Sequence, residues 1–130
     1  VIDHVSITVP DLAIAARFYD AVMAALGVPA VGRDETWLGY GLRADAAHPG
    51  RSYLSIRAGA APDATPRRHW CFKAPDHAAV DRFWRAGLDA GGADGGAPGL
   101  RPHYHPHYYA AFLRDPAGNL IEAVCHGARP

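Results

Sequence analysis

The chain opens on a two-residue alternation of polar and apolar positions. In "HVSITV", Val5, Ile7 and Val9 form one apolar row and His4, Ser6 and Thr8 the other, the pattern of a strand with one face in a core. Pro10 and Asp11 end that strand, and Asp11 stands where a helix cap is needed. An apolar stripe of Leu12, Ala15, Tyr19, Val22 and Leu26 then runs at helical spacing to Gly27. "TWLGYGL" and "RSYLSIRAG", with turn-rich residues between them, read as further short strands, so the first half is predicted to be β-α-β-β-β.

After "GAAPDATPRR" the same pattern returns. Trp70 and Phe72 take the core row, His69, Cys71 and Lys73 take the other, and Asp76 caps a helix carrying Ala79, Val80, Phe83 and Gly87. The Gly/Pro-rich run "GGADGGAPGLRP" is expected to be a loop, and "YYAAFLR", "DPAGN" and "LIEAVCH" a closing hairpin. Laying His4 on His69 without a gap pairs Pro10 with Pro75, Asp11 with Asp76, Arg17 with Arg82, Phe18 with Phe83 and Gly27 with Gly92. A register kept over so many positions marks an internal duplication. The expectation is an α+β protein in which 1–130 form one domain, with modules at 1–58 and 69–126 and a linker at 59–68.

The duplication places a histidine near the start of the first strand of each module, on the face away from its helix. In the last strand Glu122 shares a face with Leu120 and Val124, where a solvated carboxylate is not expected. If the helix-free faces enclose a pocket, His4, His69 and Glu122 meet there as two imidazoles and one carboxylate. That donor set suits a divalent ion with open coordination positions, and it fits Fe, Mn, Zn or Ni alike.

The stretches "DHVSITVPD" with "RFY", "HWCFKAPD" with "RFW", and "AAFLRDPAGNLIEAV" resemble the vicinal oxygen chelate superfamily, which includes glyoxalase I, extradiol dioxygenases, fosfomycin-resistance enzymes and bleomycin-binding proteins. The resemblance implies two tandem βαβββ modules around a U-shaped cleft, a metal held by His4, His69 and Glu122, and a small substrate that chelates it through neighbouring oxygens. It implies a glyoxalase-like lyase or isomerase, or a dioxygenase. The alternatives are a metal-free binding protein of the bleomycin-resistance type and, behind it, a thiol transferase of the fosfomycin-resistance type. Where glyoxalase I has a further glutamate ligand, Ser55 stands here.

"RPHYHPHYY" places His103, His105 and His107 just before the closing hairpin, positioned as acid, base or outer ligand, with a solvated loop as the competing reading. A five-residue "DPAGN" loop sets Phe112 opposite Glu122 and puts Tyr108 on their face; a four-residue loop selects Tyr109. The candidate catalytic groups are therefore His105, His107 and Tyr108. Arg17 and Arg82 read as helix-surface residues, and Trp37 and Tyr40 as aromatic surface for either core or cleft.

Thirteen basic residues balance 13 acidic ones, so nothing steers the chain toward nucleic acid or an anionic membrane, and the partner expected is a small molecule. No apolar run is long enough to span a bilayer, which points to the cytoplasm. Cys71 and Cys125 form no metal-binding pair and read as buried reduced thiols. The open sheet edges of so small a chain favour a homodimer.

Overall fold

The structure is a computed structural model, and it describes residues 1–63 and 67–128. Its elements run β1 (His4–Val9), α1 (Leu12–Ala25), β2 (Ala30–Arg33), β3 (Trp37–Tyr40), β4 (Tyr53–Ala58), β5 (His69–Lys73), α2 (His77–Asp89), β6 (Ala93–Leu100), β7 (Tyr109–Arg114) and β8 (Leu120–Cys125). The β-α-β-β-β pattern expected from the duplication is present twice. Part of the expected linker, 64–66, lies outside the described residues.

Each module forms its own four-stranded sheet, in the orders β1-β4-β3-β2 and β5-β8-β7-β6. The first strand of each module pairs in parallel with the last and leaves its other side open. The helices start where the sequence places their caps: Asp11 accepts a hydrogen bond from the Ile14 amide at 3.1 Å, and Asp76 from the Ala79 amide at 2.7 Å. Each such cap contributes about 1 kcal/mol. Gly27 ends the first helix with φ at +74°, a conformation that a side chain disfavours.

The helices pack on each other, so the two modules share one core. Phe18, Val22, Val80, Phe83, Leu113 and Ile121 are completely buried in it. Gly87 permits the close approach of the helices, because a Cβ there would overlap Leu113 and crowd Val22 and Phe18. Arg17 donates to the Asp89 carbonyl at 3.1 Å and ties α1 to the end of α2. At the turn between β7 and β8, the buried Asp115 accepts hydrogen bonds from the amides of Ala117 and Asn119, from the Asn119 side chain, and from the Tyr19 hydroxyl at 2.6 Å. Burial and the neighbouring Asp115 charge push the Tyr19 phenol well above its usual pKa, so it stays a donor.

Three expectations need correction. The run expected as a loop forms β6, because it lies at the outer edge of the second sheet. There Pro98 withholds no hydrogen bond that the sheet interior needs, and register shifts around Gly96 absorb the irregular backbone. Trp70 was expected in the core row with Phe72; Phe72 packs on the core, but Trp70 remains 38% exposed on the edge strand β5. Cys71 was expected to be buried; the residue as a whole is exposed on the edge strand, although its thiol turns in against Glu122 and Tyr108, whereas Cys125 is buried. Among the described residues, no helix is long and apolar enough to cross a membrane.

Candidate functional site

Directly paired residues share a sheet face, so the ladders decide which side chains can meet. In the second sheet Cys71 pairs with Glu122 and Phe112 with Glu122, while His69 lies beside Leu120. Five residues separate β7 from β8, which puts Phe112 opposite Glu122. The helix-free face of this sheet therefore carries His69, Cys71, Phe112 and Glu122. The Glu122 carboxylate is 3% exposed, held where water cannot fully solvate it.

Two groups grip Glu122. Tyr108 donates its hydroxyl proton to Oε1 at 2.6 Å, and His69 Nε2 lies 3.0 Å from Oε2. His69 Nδ1 lies 2.9 Å from the Arg67 carbonyl, which can only accept, so Nδ1 carries the proton. In the neutral ring Nε2 then presents a lone pair to the carboxylate lone pairs. That arrangement calls for a proton between the two groups, on the ring or on the carboxyl, or for a cation that both could hold. An imidazole whose far nitrogen is fixed by a carbonyl is also the usual form of a metal-bound histidine. Phe112 packs edge-on against His69, with ring centroids 5.5 Å apart.

Burial pushes the Tyr108 hydroxyl above its usual pKa, and the Glu122 hydrogen bond adds to that, so Tyr108 remains protonated. Cys71 lies against both groups. Burial of its thiol, then the Glu122 charge, pushes its pKa up to about 12. In metal-free protein, iodoacetamide is expected to alkylate Cys71 at pH 8 on the order of 100-fold more slowly than a free thiol, since only the thiolate attacks. Mass spectrometry of timed samples measures this, and a rate matching glutathione contradicts it.

The histidine loop is only partly brought to Glu122. His105 accepts from the His107 amide at Nδ1, 3.1 Å away, so its Nε2 holds the proton and donates to His126 Nδ1 at 2.9 Å. Both rings pack around Tyr108, at centroid distances of 5.5 and 5.3 Å. His103 packs on Tyr104 instead. His107 contributes its amide to the cluster. Tyr109 points the other way and donates to Asp81 on α2 at 2.7 Å. His126 escaped the sequence reading, although it continues the two-residue row of Glu122 and Val124.

His4 occupies the matching place in the first module. Its Nδ1 donates to Asp3 at 2.8 Å, leaving Nε2 free to bind outward, and its side chain is 60% exposed. Pairing puts Tyr53, Ser55, Arg57, Trp37 and Gly39 on the same face of that sheet. The Trp37 ring lies across Gly32 and Gly39, where a Cβ would overlap it. Tyr40 faces the core and donates to Asp20, so of the two aromatic candidates only Trp37 lines this face. Ser55 is 3% exposed, and its Oγ has no hydrogen-bond partner in the described structure.

The chain brings His69, Glu122 and Tyr108 together and keeps His4 apart from them. Among the described residues, no three His, Cys, Asp or Glu side chains converge closely enough to hold a metal. Two surface concavities lie elsewhere, one between the start of α1 and Pro116, the other beside Asp20, Arg33 and Tyr40. An enclosed site at His69 and Glu122 needs a second surface to cover it.

The chain thus consists of paired βαβββ modules, each with a histidine at the head of its first strand. Residues 1–123 match the Glyoxalase/Bleomycin resistance protein/Dioxygenase superfamily, and the chain belongs to it. It is 30% identical to a glyoxalase/bleomycin resistance protein from Albidiferax ferrireducens, with 95% of this chain and 98% of that one covered and a TM-score of 0.77. A glyoxalase/bleomycin resistance protein/dioxygenase family enzyme from Burkholderia phytofirmans shares the fold at 21% identity, covering 96% and 98% of the two chains with a TM-score of 0.69. The fosfomycin resistance protein FosX from Mesorhizobium loti does so at 18% identity, covering 96% and 91%, with a TM-score of 0.68. No curated protein matches the chain.

Proposed function

We propose that the protein is a divalent-metal-dependent enzyme acting on a small substrate that chelates through neighbouring oxygens, and that its site forms between two copies. His69 and Glu122 of one copy and His4 of the other supply the ligands. The observation that carries this reading is the 3.0 Å approach of His69 Nε2 to Glu122 Oε2 with the far ring nitrogen already protonated. The donors fit a metal as a half-site, and an outward-facing His4 on the equivalent strand fits the other half.

A bound ion would polarise adjacent substrate oxygens as a Lewis acid. The chain's own contribution centres on Tyr108. Its hydroxyl is fixed by Glu122 and flanked by the His105–His126 pair, which places it to hold or return a proton at the substrate. Where glyoxalase I supplies a second carboxylate, Ser55 offers only a hydroxyl, so proton handling falls to Tyr108 rather than to a residue of the first module. His105 stands behind it as a candidate relay, and the His107 amide fixes the His105 ring. A lyase, isomerase or dioxygenase reaction is compatible with this arrangement. A second reading, a metal-free binding protein, draws support from the aromatic surface of Trp37 and Tyr53.

The open edges of β1 and β5 and the exposed Trp70 favour a homodimer that covers both. A mixing experiment tests the shared site. His4→Ala and Glu122→Ala chains, each devoid of tight metal binding, are expected to regain about a quarter of the wild-type metal stoichiometry when mixed in equal amounts and allowed to exchange, since about half of the dimers become mixed and one of the two sites in each of these becomes whole. No recovery in dimers shown by mass spectrometry to be mixed would place all three ligands within one chain and overturn the proposal.

A further inference from the structure

The overall charge of the chain is zero, but both helix-free sheet faces carry cations. Arg57 faces that side of the first sheet beside Thr8 and Trp37, and Lys73 that side of the second beside Val124. Of the acidic residues, Glu122 lies on the second of these faces and Asp3 is paired with His4 on the first, while others are occupied elsewhere: Asp20 with Arg33 and Tyr40, Asp81 with Tyr109, Asp94 with Trp84, and Asp115 in its turn.

Arg43 is the best-defined cation on these faces. Its guanidinium carbon lies 4.6 Å from the Tyr53 ring centroid and 5.6 Å from that of Trp37, so two aromatic faces hold it. One Nη donates to the Tyr53 hydroxyl at 3.2 Å. Among the described residues no carboxylate pairs with it. Asp45, the nearest in sequence, is taken by the amides of Ala47 and His48, by the His48 ring and by Arg51. Tyr53 is the direct ladder partner of His4, which puts Arg43, through its contact with Tyr53, on the same sheet face as that imidazole. A planar cation fixed between rings, with unused donors, matches the two oxygens of a carboxylate better than a neutral group.

We infer that Arg43 anchors a carboxylate of the ligand, so that the substrate class is a small organic acid held by its carboxylate at Arg43, on the sheet face that carries His4. The placing of the acid's other oxygens rests on the metal reading above; the anion site does not. Benzoate, which lacks neighbouring oxygens for chelation, separates the two. Titrated into metal-free protein and followed by indole fluorescence and NMR shifts, benzoate is expected to bind saturably, and neutral benzamide about ten-fold or more weakly. Arg43→Met is expected to weaken benzoate about ten-fold or more, with Arg43→Lys intermediate because it keeps the charge and loses the fork. Arg85→Met, on the exposed side of α2, is expected to bind benzoate as the parent does. Equal binding of benzoate and benzamide, or Arg43→Met within two-fold of the parent while folded by circular dichroism, overturns the inference. Phenylphosphonate binding ten-fold tighter than benzoate overturns the carboxylate assignment. Arg43-dependent benzoate binding in a protein that takes up no metal supports the anion site and removes the metal reading instead.

Discussion

Replacing Glu122 with alanine is expected to lower divalent-metal affinity by ~100-fold or more, beyond the range seen when only an outer-shell partner of a ligand is lost. The carboxylate is buried, and each oxygen already has a defined neighbour, Tyr108 on Oε1 and His69 on Oε2. Removing it deletes a ligand and also releases the tyrosine and the imidazole that it orients. Glu122→Gln is expected to act nearly as strongly, because an amide brings no charge to offset that of the ion. Titration with Mn, Zn and Ni of protein stripped of metal, followed by metal analysis after dialysis, measures both variants. Full occupancy in Glu122→Ala would remove Glu122 from the ligand set and with it the proposed site. His69→Ala is expected to follow Glu122→Ala, whereas Tyr108→Phe should retain metal and lose turnover, by ~100-fold if Tyr108 handles the proton.

Asp115→Ala is expected to destabilise the fold by about 3 kcal/mol, the scale of breaking a buried, charged hydrogen-bond cluster. Four donors converge on this one carboxylate, and the substitution leaves the Tyr19 hydroxyl and two turn amides without their acceptor. For a chain of this size the loss corresponds to a fall in Tm of roughly 10 °C. Tyr19→Phe removes only one of the four bonds and should cost about 1 kcal/mol. Thermal unfolding followed by circular dichroism checks both, and a Tm for Asp115→Ala within two degrees of the parent contradicts the expectation. The turn also matters for function. Its five residues set Phe112 opposite Glu122 and so bring Tyr108 to the Glu122 face; a shift of one residue would turn Glu122 into the core.

Much of this was legible in the chain. The alternation in "HVSITV", the paired Asp11 and Asp76 caps and the gap-free repeat determine two β-α-β-β-β modules, because strand and helix periods are local properties of the backbone. The "DPAGN" turn determines the β7–β8 register and the Tyr108 face for the same reason. Local rules failed at β6, where glycine and proline read as loop although an edge strand tolerates both, and at Trp70, whose row faces the core but whose strand lies at an open edge.

What the sequence could not decide was which faces meet. Two histidines on equivalent strands suggest a shared pocket, but alternation says only that each points away from its own helix. Packing α1 against α2 joins the modules through their helices and leaves the two histidine faces on separate sheets, so His69 finds Glu122 and His4 does not. The same holds for the neighbours of the site. Cys71 against Glu122, His126 against His105, and Arg43 between Trp37 and Tyr53 all come from loops and strands far apart in the chain or from side-chain directions that no periodicity encodes. The sequence by itself determined the modules, their caps and the face on which each candidate ligand lies, since these depend on neighbours a few residues away. Only the tertiary structure decided which of those faces are brought together, since that depends on how two helices bury their apolar stripes against each other.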